Sequence, residues 1–185
     1  MNFELTQEQK LIKQTAKDFA QNELLPGILD RDENKIWPAE AVKKMGELGF
    51  MGMMASPDYN GGGMDTISYV IAMEEIAKVD AAASVIMSVN NSLVCSLLQK
   101  YANSFQKEKY LSKLTKGDLL GAFSLSEPQS GSDASNMLTF AKKTSGGYLL
   151  NGTKNWVTNG KNSDLVLVAA SVSYTHLTLP TKRIV

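Results

Sequence analysis

The residues able to do chemistry fall in two runs, Phe123-Ser-Leu-Ser-Glu-Pro-Gln-Ser-Gly-Ser-Asp133 and Gly152-Thr-Lys-Asn-Trp-Val-Thr-Asn159. In the first, Gly131 stands between Ser130 and Ser132, and a residue without Cβ lets a ligand approach the backbone closely. Hydroxyls and backbone amides there can hold phosphate oxygens without a lysine. In the second, Lys154 to Thr158 reads as a strand. Trp156 and Thr158, two apart, then project from one face. A flat ring beside a short hydroxyl suits a planar heteroaromatic ligand that needs stacking and one polar anchor. Taken singly, each feature has an ordinary reading. Ser130 to Asp133 is a turn, Glu127 before Pro128 a structural carboxylate, Trp156 a core ring, and Asn151-Gly152 a hairpin turn. The spacing fits neither a Rossmann fingerprint nor a P-loop, Gly61 to Gly63 reads as a surface turn, and no metal site is expected.

Composition narrows the function classes. The chain has 185 residues, 43% of them hydrophobic, with 19 basic against 19 acidic side chains. That is an ordinary globular balance, with no charge excess to draw nucleic acid or an anionic membrane. The lone Cys95 excludes an intrachain disulfide and fits a reducing compartment, so a cytoplasmic location is expected. Its apolar neighbours Val94, Leu97 and Leu98 predict a buried, inert thiol. Glu4, Glu8 and Lys10 do not make a signal peptide. The apolar stretch Ala81 to Leu98 carries Ser84, Ser88, Asn90, Asn91 and Ser92, which favours a buried helix over a membrane span.

Two kinds of element must position the runs. Residues 1–118 read as all-helical. Thr6 opens a helix with a capping box and ends it before Pro26. Pro38 starts a second helix carrying Val42, Met45 and Leu48, closed by Gly49. Asp65 caps a third, with Ile67, Val70, Ile71 and Ile76 as its apolar side. Ala81 to Tyr101 forms the fourth. Asn103 or Ser104 starts a fifth, with Phe105, Tyr110, Leu111 and Leu114 inward, ending near Gly117. Residues 119–171 switch to short β-rich segments: 119–125, 138–142, 148–151, 154–158 and 165–170. The fold class is therefore α+β, an all-helical domain followed by the first part of an antiparallel β domain. Residues 172–185 do not fit what precedes them and read as a non-family tail, and His176, the one histidine, is not taken as a catalytic base.

The two runs resemble the flavin-contacting segments of the acyl-CoA dehydrogenase family. The resemblance spans residues 3 to 171 in order: Phe3-Glu-Leu-Thr-Gln-Glu-Gln, Leu48-Gly-Phe-Met-Gly, Tyr59-Asn-Gly-Gly, Glu74-Glu-Ile-Ala and Val89-Asn-Asn-Ser-Leu precede them. Any one of these is weak, but the ordered set is specific. Ser124 and Asn136 depart from the small residues common at those places.

The resemblance implies FAD-dependent α,β-dehydrogenation of a fatty acyl-CoA thioester. Phe123, Leu125 and Ser126 would lie along the flavin ring, Ser126 bonding its pyrimidine edge. Ser132, beside Gly131, would reach the FAD pyrophosphate and also contact substrate. Trp156 and Val157 would pack at the flavin, and Thr158 would bond near N5. The Val-Asn-Asn-Ser-Leu segment looks most like short-chain members. The catalytic base implied is a glutamate of a later helical domain, so none is nominated here. By the same resemblance the chain is an N-terminal fragment, expected inactive by itself. The parent would be a homotetramer that passes electrons to an electron-transferring flavoprotein. Rival readings are an acyl-CoA oxidase or flavin monooxygenase of the same fold, and a non-enzymatic helical module binding acyl chains or a protein.

Overall fold

The computed structural model describes residues 4–172; Phe3, His176 and the tail from Ser173 lie outside them. The chain divides into two compact units, residues 1–120 and 121–185.

The first unit is helical. Helix α1 (Gln7–Phe19) starts at Thr6 through a complete capping box, the Thr6 hydroxyl accepting from the Gln9 amide and the Gln9 side chain from the Thr6 amide, each at 3.1 Å. It runs on as a π-helical turn to Leu24. A short helix α2 (Ile28–Asn34) that the periodicity did not announce follows Gly27. Helix α3 (Ala39–Glu47) begins after Pro38, and α4 (Thr66–Ala77) is capped by Asp65, whose carboxylate accepts from the Ser68 amide at 2.7 Å. Asp80 caps α5 (Ala81–Ser88), which continues through a π-helical stretch, Val89–Cys95, into α6 (Ser96–Tyr101). A final helical run comprises α7 (Ser104–Gln106), a π turn at Lys107–Leu111 and α8 (Ser112–Lys116), ending at left-handed Gly117.

The core of this unit joins Phe19, Leu24, Met45, Phe50, Met53, Ile76, Ile86 and Met87. Ala81–Tyr101 is long and apolar enough to cross a membrane by length and composition, yet it contributes Ala83, Ile86, Met87, Val94, Cys95 and Leu98 to the buried set. Three expected core faces need correction. Just past α3, Leu48 is exposed while Val42 and Met45 are buried. On α4, Ile67 (61% exposed) and Val70 (53%) point outward, while Ser68, Tyr69, Ala72 and Glu75 join Ile71 and Ile76 inside. Small and polar residues fill that face because α4 packs closely on α1 and α5. Phe105 is likewise exposed and Tyr110 half-buried, and Leu111, Leu114 and Thr115 are the fully buried residues of this run.

The second unit contains β1 (Gly121–Ser124), β2 (Phe140–Thr144), β3 (Gly147–Asn151) and β4 (Leu165–Val168). Strands β2 and β3 form the expected antiparallel hairpin, Phe140 opposite Asn151 and Thr144 opposite Gly147. Strands β1 and β4 pair in parallel, Gly121 with Leu165 and Ser124 with Val168. A bridge from Phe140 to Ser171 ties the hairpin to the chain beyond β4. Two local expectations fail here. Residues 154–158 form no strand: Trp156 has φ +59°, outside the extended region, so alternation of side chains does not apply to it. Asn151-Gly152 is not the hairpin turn, which falls at Ser145-Gly146 instead. A Cβ on Gly152 would collide with Thr139 Oγ1, so glycine is needed there for close packing.

Candidate functional site

The two chemistry-bearing runs converge within the second unit. Strand β1 delivers Phe123, and the chain leaves it through Leu125 and Ser126 into a tight turn. In that turn Glu127 and Ser130 exchange backbone hydrogen bonds of 2.7 and 3.1 Å. The second run crosses alongside. The Asn155 amide donates to the Ser126 carbonyl at 2.9 Å, and Lys154 Nζ donates to the Leu125 carbonyl at 2.7 Å.

Beneath these contacts lies a buried ion pair. Lys154 Nζ is 2.8 Å from Glu127 Oε1, with the Glu127 side chain 2% exposed. The carboxylate is saturated by further donors: the Thr139 amide at 2.9 Å, the Leu138 amide at 2.6 Å and Gln129 Nε2 at 2.6 Å. Burial alone would raise the Glu127 pKa. The hydrogen bonds from Lys154, Thr139 and Leu138 outweigh it and hold the carboxyl far below the usual carboxylate range. This carboxylate is structural, as its place before Pro128 suggested.

What this frame presents is polar and open. Phe123, Leu125, Ser126, Val157 and Thr158 are half-buried, and Gly131 and Ser132 are exposed. Trp156 is 91% exposed. None of the hydroxyls of Ser126, Ser132 and Thr158 is engaged by another described residue. A Cβ on Gly131 would meet nothing within 4 Å, so the chain's own packing does not require glycine there. Its bare backbone is open to approach from outside. Trp156 is held in a left-handed conformation that costs an L-residue about 1–2 kcal/mol. It is bracketed by Asn155, tied to Ser126, and by left-handed Asn159, whose Nδ2 donates to the Gly121 carbonyl at 3.0 Å.

The Ser126 turn and the segment leading to Trp156 are thus brought together, but through turns and not through a shared strand face, and Thr158 follows two residues on. Sequence reasoning passed over Lys154 and Asn155, the residues that make the convergence. The available signal was one opposite charge in each run, Glu127 and Lys154. Elsewhere the Cys95 thiol is buried and its pKa is pushed up to about 12, which leaves it unreactive.

The chain is thus a helical unit followed by a β unit that presents an exposed indole and three hydroxyls engaged by no other described residue. Comparison gives the family. The model of the acyl-CoA dehydrogenase N-terminal domain matches residues 6–118, and that of the acyl-CoA dehydrogenase middle domain matches residues 122–183. The chain belongs to the acyl-CoA dehydrogenase family. The second match extends past residue 171, where the sequence resemblance was drawn to a close. The short-chain specific acyl-CoA dehydrogenase of Clostridium acetobutylicum is 41% identical over 175 residues, which make up 95% of this chain and 46% of that protein. The butyryl-CoA dehydrogenase structure from Megasphaera elsdenii matches with a TM-score of 0.88 and 37% identity, covering 94% of this chain and 46% of that one. A glutaryl-CoA dehydrogenase from Mycobacterium smegmatis in complex with FADH2 matches at TM-score 0.87 and 33% identity, over 91% and 44% of the two chains. The chain spans about half the length of the relatives it matches.

Proposed function

We propose that the protein works in the FAD-dependent α,β-dehydrogenation of short-chain fatty acyl-CoA thioesters. The observation that carries this reading is Trp156: a large ring, 91% exposed and in a strained backbone conformation, held beside the Ser126 turn. Soluble proteins seldom present an indole this way without a partner for it. The donor set fits FAD. Trp156, with Phe123, Leu125 and Val157, would hold the ring system, while Ser126 and Thr158 would supply hydroxyl donors to its polar edge. Ser132 and the open backbone at Gly131 would take the pyrophosphate, with Ser132 also touching substrate. When bound, FAD accepts the hydride that leaves the substrate β carbon.

The chain's own part is to bind, orient and polarise. Fixed donors at an edge where negative charge grows favour that charge without reorganising. The acyl chain is assigned to the helical unit, along residues 84–93. None of the prominent carboxylates is poised to take the substrate α proton. Glu127 is locked to Lys154, Glu75 bonds Lys78 at 2.8 Å, and Glu74 lies 3.0 Å from the same lysine. We assign the base to none of them. An electron-transferring flavoprotein as acceptor, a homotetrameric whole protein and a cytoplasmic location complete the proposal.

Flavin content and anaerobic bleaching by butyryl-CoA, measured on protein expressed from the full gene, test the reading. The protein is expected to purify yellow and to bleach. Trp156→Ala should weaken FAD retention by about 2–10-fold, the scale of one aromatic stacking contact. A colourless protein that does not bleach, or unchanged retention in Trp156→Ala, overturns it.

A further inference from the structure

We infer that Lys154 is a positioning residue for the flavin face: its ammonium, shared between the Leu125 carbonyl and the Glu127 carboxylate, fixes the orientation in which Trp156 is presented. The inference rests on the cofactor reading above and assigns the part of the machinery that lies behind it.

The geometry is a ladder of three ties between the two runs. Lys154 Nζ reaches Leu125 O at 2.7 Å and Glu127 Oε1 at 2.8 Å, and the next residue, Asn155, donates its amide to Ser126 O at 2.9 Å. Consecutive residues 154 and 155 thus grip consecutive residues 125, 126 and 127, and the residue that follows the grip is Trp156. A tryptophan in the left-handed region persists only where its surroundings over-determine the backbone. Downstream, Asn159 anchors to Gly121 and the Gly160 amide caps the turn on Val157 O at 3.0 Å. Upstream, the anchor is Lys154.

The lysine is suited to this. A compact ammonium with three donors can serve a carbonyl and a carboxylate at once. The carboxylate it meets is itself pinned by the Leu138 and Thr139 amides at the entry to β2, so the grip reaches the rigid hairpin. Lys154 is 10% exposed and its ammonium is taken up by Leu125 O and Glu127 Oε1, so it acts through Trp156 and Ser126 and not on the cofactor itself.

The test compares Lys154→Met and Lys154→Arg in protein expressed from the full gene, in a background where Trp37 and every other tryptophan except Trp156 are replaced by Phe. The readouts are Trp156 fluorescence anisotropy without FAD and FAD retention by equilibrium dialysis. Lys154→Met is expected to lower the anisotropy and weaken FAD retention by up to about 10-fold, the ceiling set by losing the indole contact itself. Lys154→Arg keeps the charge and the donors and is expected to restore both to within about threefold. Far-UV circular dichroism reports whether the Met variant stays folded; where it does not, the Arg variant decides alone, and its failure to hold anisotropy and FAD overturns the proposal. Wild-type anisotropy and retention in Lys154→Met also overturn it. Should Trp156→Ala leave FAD retention untouched while Lys154→Met still frees the indole, the cofactor reading fails and only the hold of Lys154 on the indole stands.

Discussion

The two units solve one problem, tying a loop to a scaffold, with different chemistry. In the helical unit the clasp is neutral. Asn91 accepts from the Met53 amide at 2.8 Å and donates to the carbonyls of Phe50 at 2.7 Å and Met87 at 3.0 Å, while Asn90 donates to Met51 O and Leu114 O at 2.8 and 3.1 Å. Both lie in the π-helical stretch Val89–Cys95, whose wider turn brings two adjacent amides to bear on Phe50–Met53. In the β unit the clasp is ionic, Glu127 with Lys154. A buried neutral amide needs only its hydrogen bonds satisfied, whereas a buried charge needs a counter-charge as well. The ionic clasp is therefore the more brittle, and it stands behind the residues assigned to the cofactor.

Breaking each clasp measures that difference. Glu127→Ala leaves the Lys154 charge buried without its partner and strips an acceptor from the Leu138 and Thr139 amides. The β unit should lose about 3–5 kcal/mol, read as a shifted denaturant midpoint for β-unit amide signals in NMR. Asn91→Ala leaves the Met53 amide and the Phe50 carbonyl without their side-chain partner in a buried site. A loss of about 2–4 kcal/mol is expected, confined to helical-unit signals. A larger loss for Asn91→Ala than for Glu127→Ala, or losses shared by both sets of signals, would dissolve the contrast.

Acid sharpens it. The folded-state pKa of Glu127 lies below its unfolded value, so its contribution is full above the ordinary carboxylate range and is lost as pH falls from there toward the folded pKa. The asparagine clasp does not titrate. Glu75, whose pKa is lowered chiefly by the Lys78 hydrogen bond, gives the helical unit an acid-sensitive contact of the same sign, but at an exposed lysine. Hydrogen-exchange protection around Leu138 and Thr139 should accordingly fall below about pH 4 before protection around Met53 does. Simultaneous loss of both would mean that the ion pair does not govern the acid response of its unit.

How far the sequence announced all this follows the same divide. Helix starts were legible where local chemistry fixes them, side-chain capping at Thr6, Asp65 and Asn103 and the preset φ of proline at Pro38. Which face of α4 turns inward was not, since burial of Ser68 and Glu75 in place of Ile67 and Val70 is decided by the neighbours. The π-helical stretches are invisible to a 3.6-residue period. In the β unit, the chemistry of the two runs was legible from residue type, and their convergence was not. It depends on Lys154 reaching residues 125 and 127, a long-range contact without periodic signature. Trp156 shows the limit most clearly, because a strand pattern in the letters gave way to a left-handed turn.

The smallest expected effect separates the clasp from what it presents. Trp156 contributes little burial and occupies a backbone conformation that glycine adopts freely, so Trp156→Gly removes strain without removing a packed side chain. Glycine also gains entropy in the unfolded chain, which offsets part of the relief. The net expectation is a β unit unchanged or stabilised by up to about 1 kcal/mol, together with weaker FAD retention. Stability and retention moving in opposite directions at one residue would mean that the strain is kept for the ligand's sake. A loss of more than about 1 kcal/mol in Trp156→Gly would instead make the indole part of the unit's own packing, because an exposed, unpacked ring has no such energy to give up.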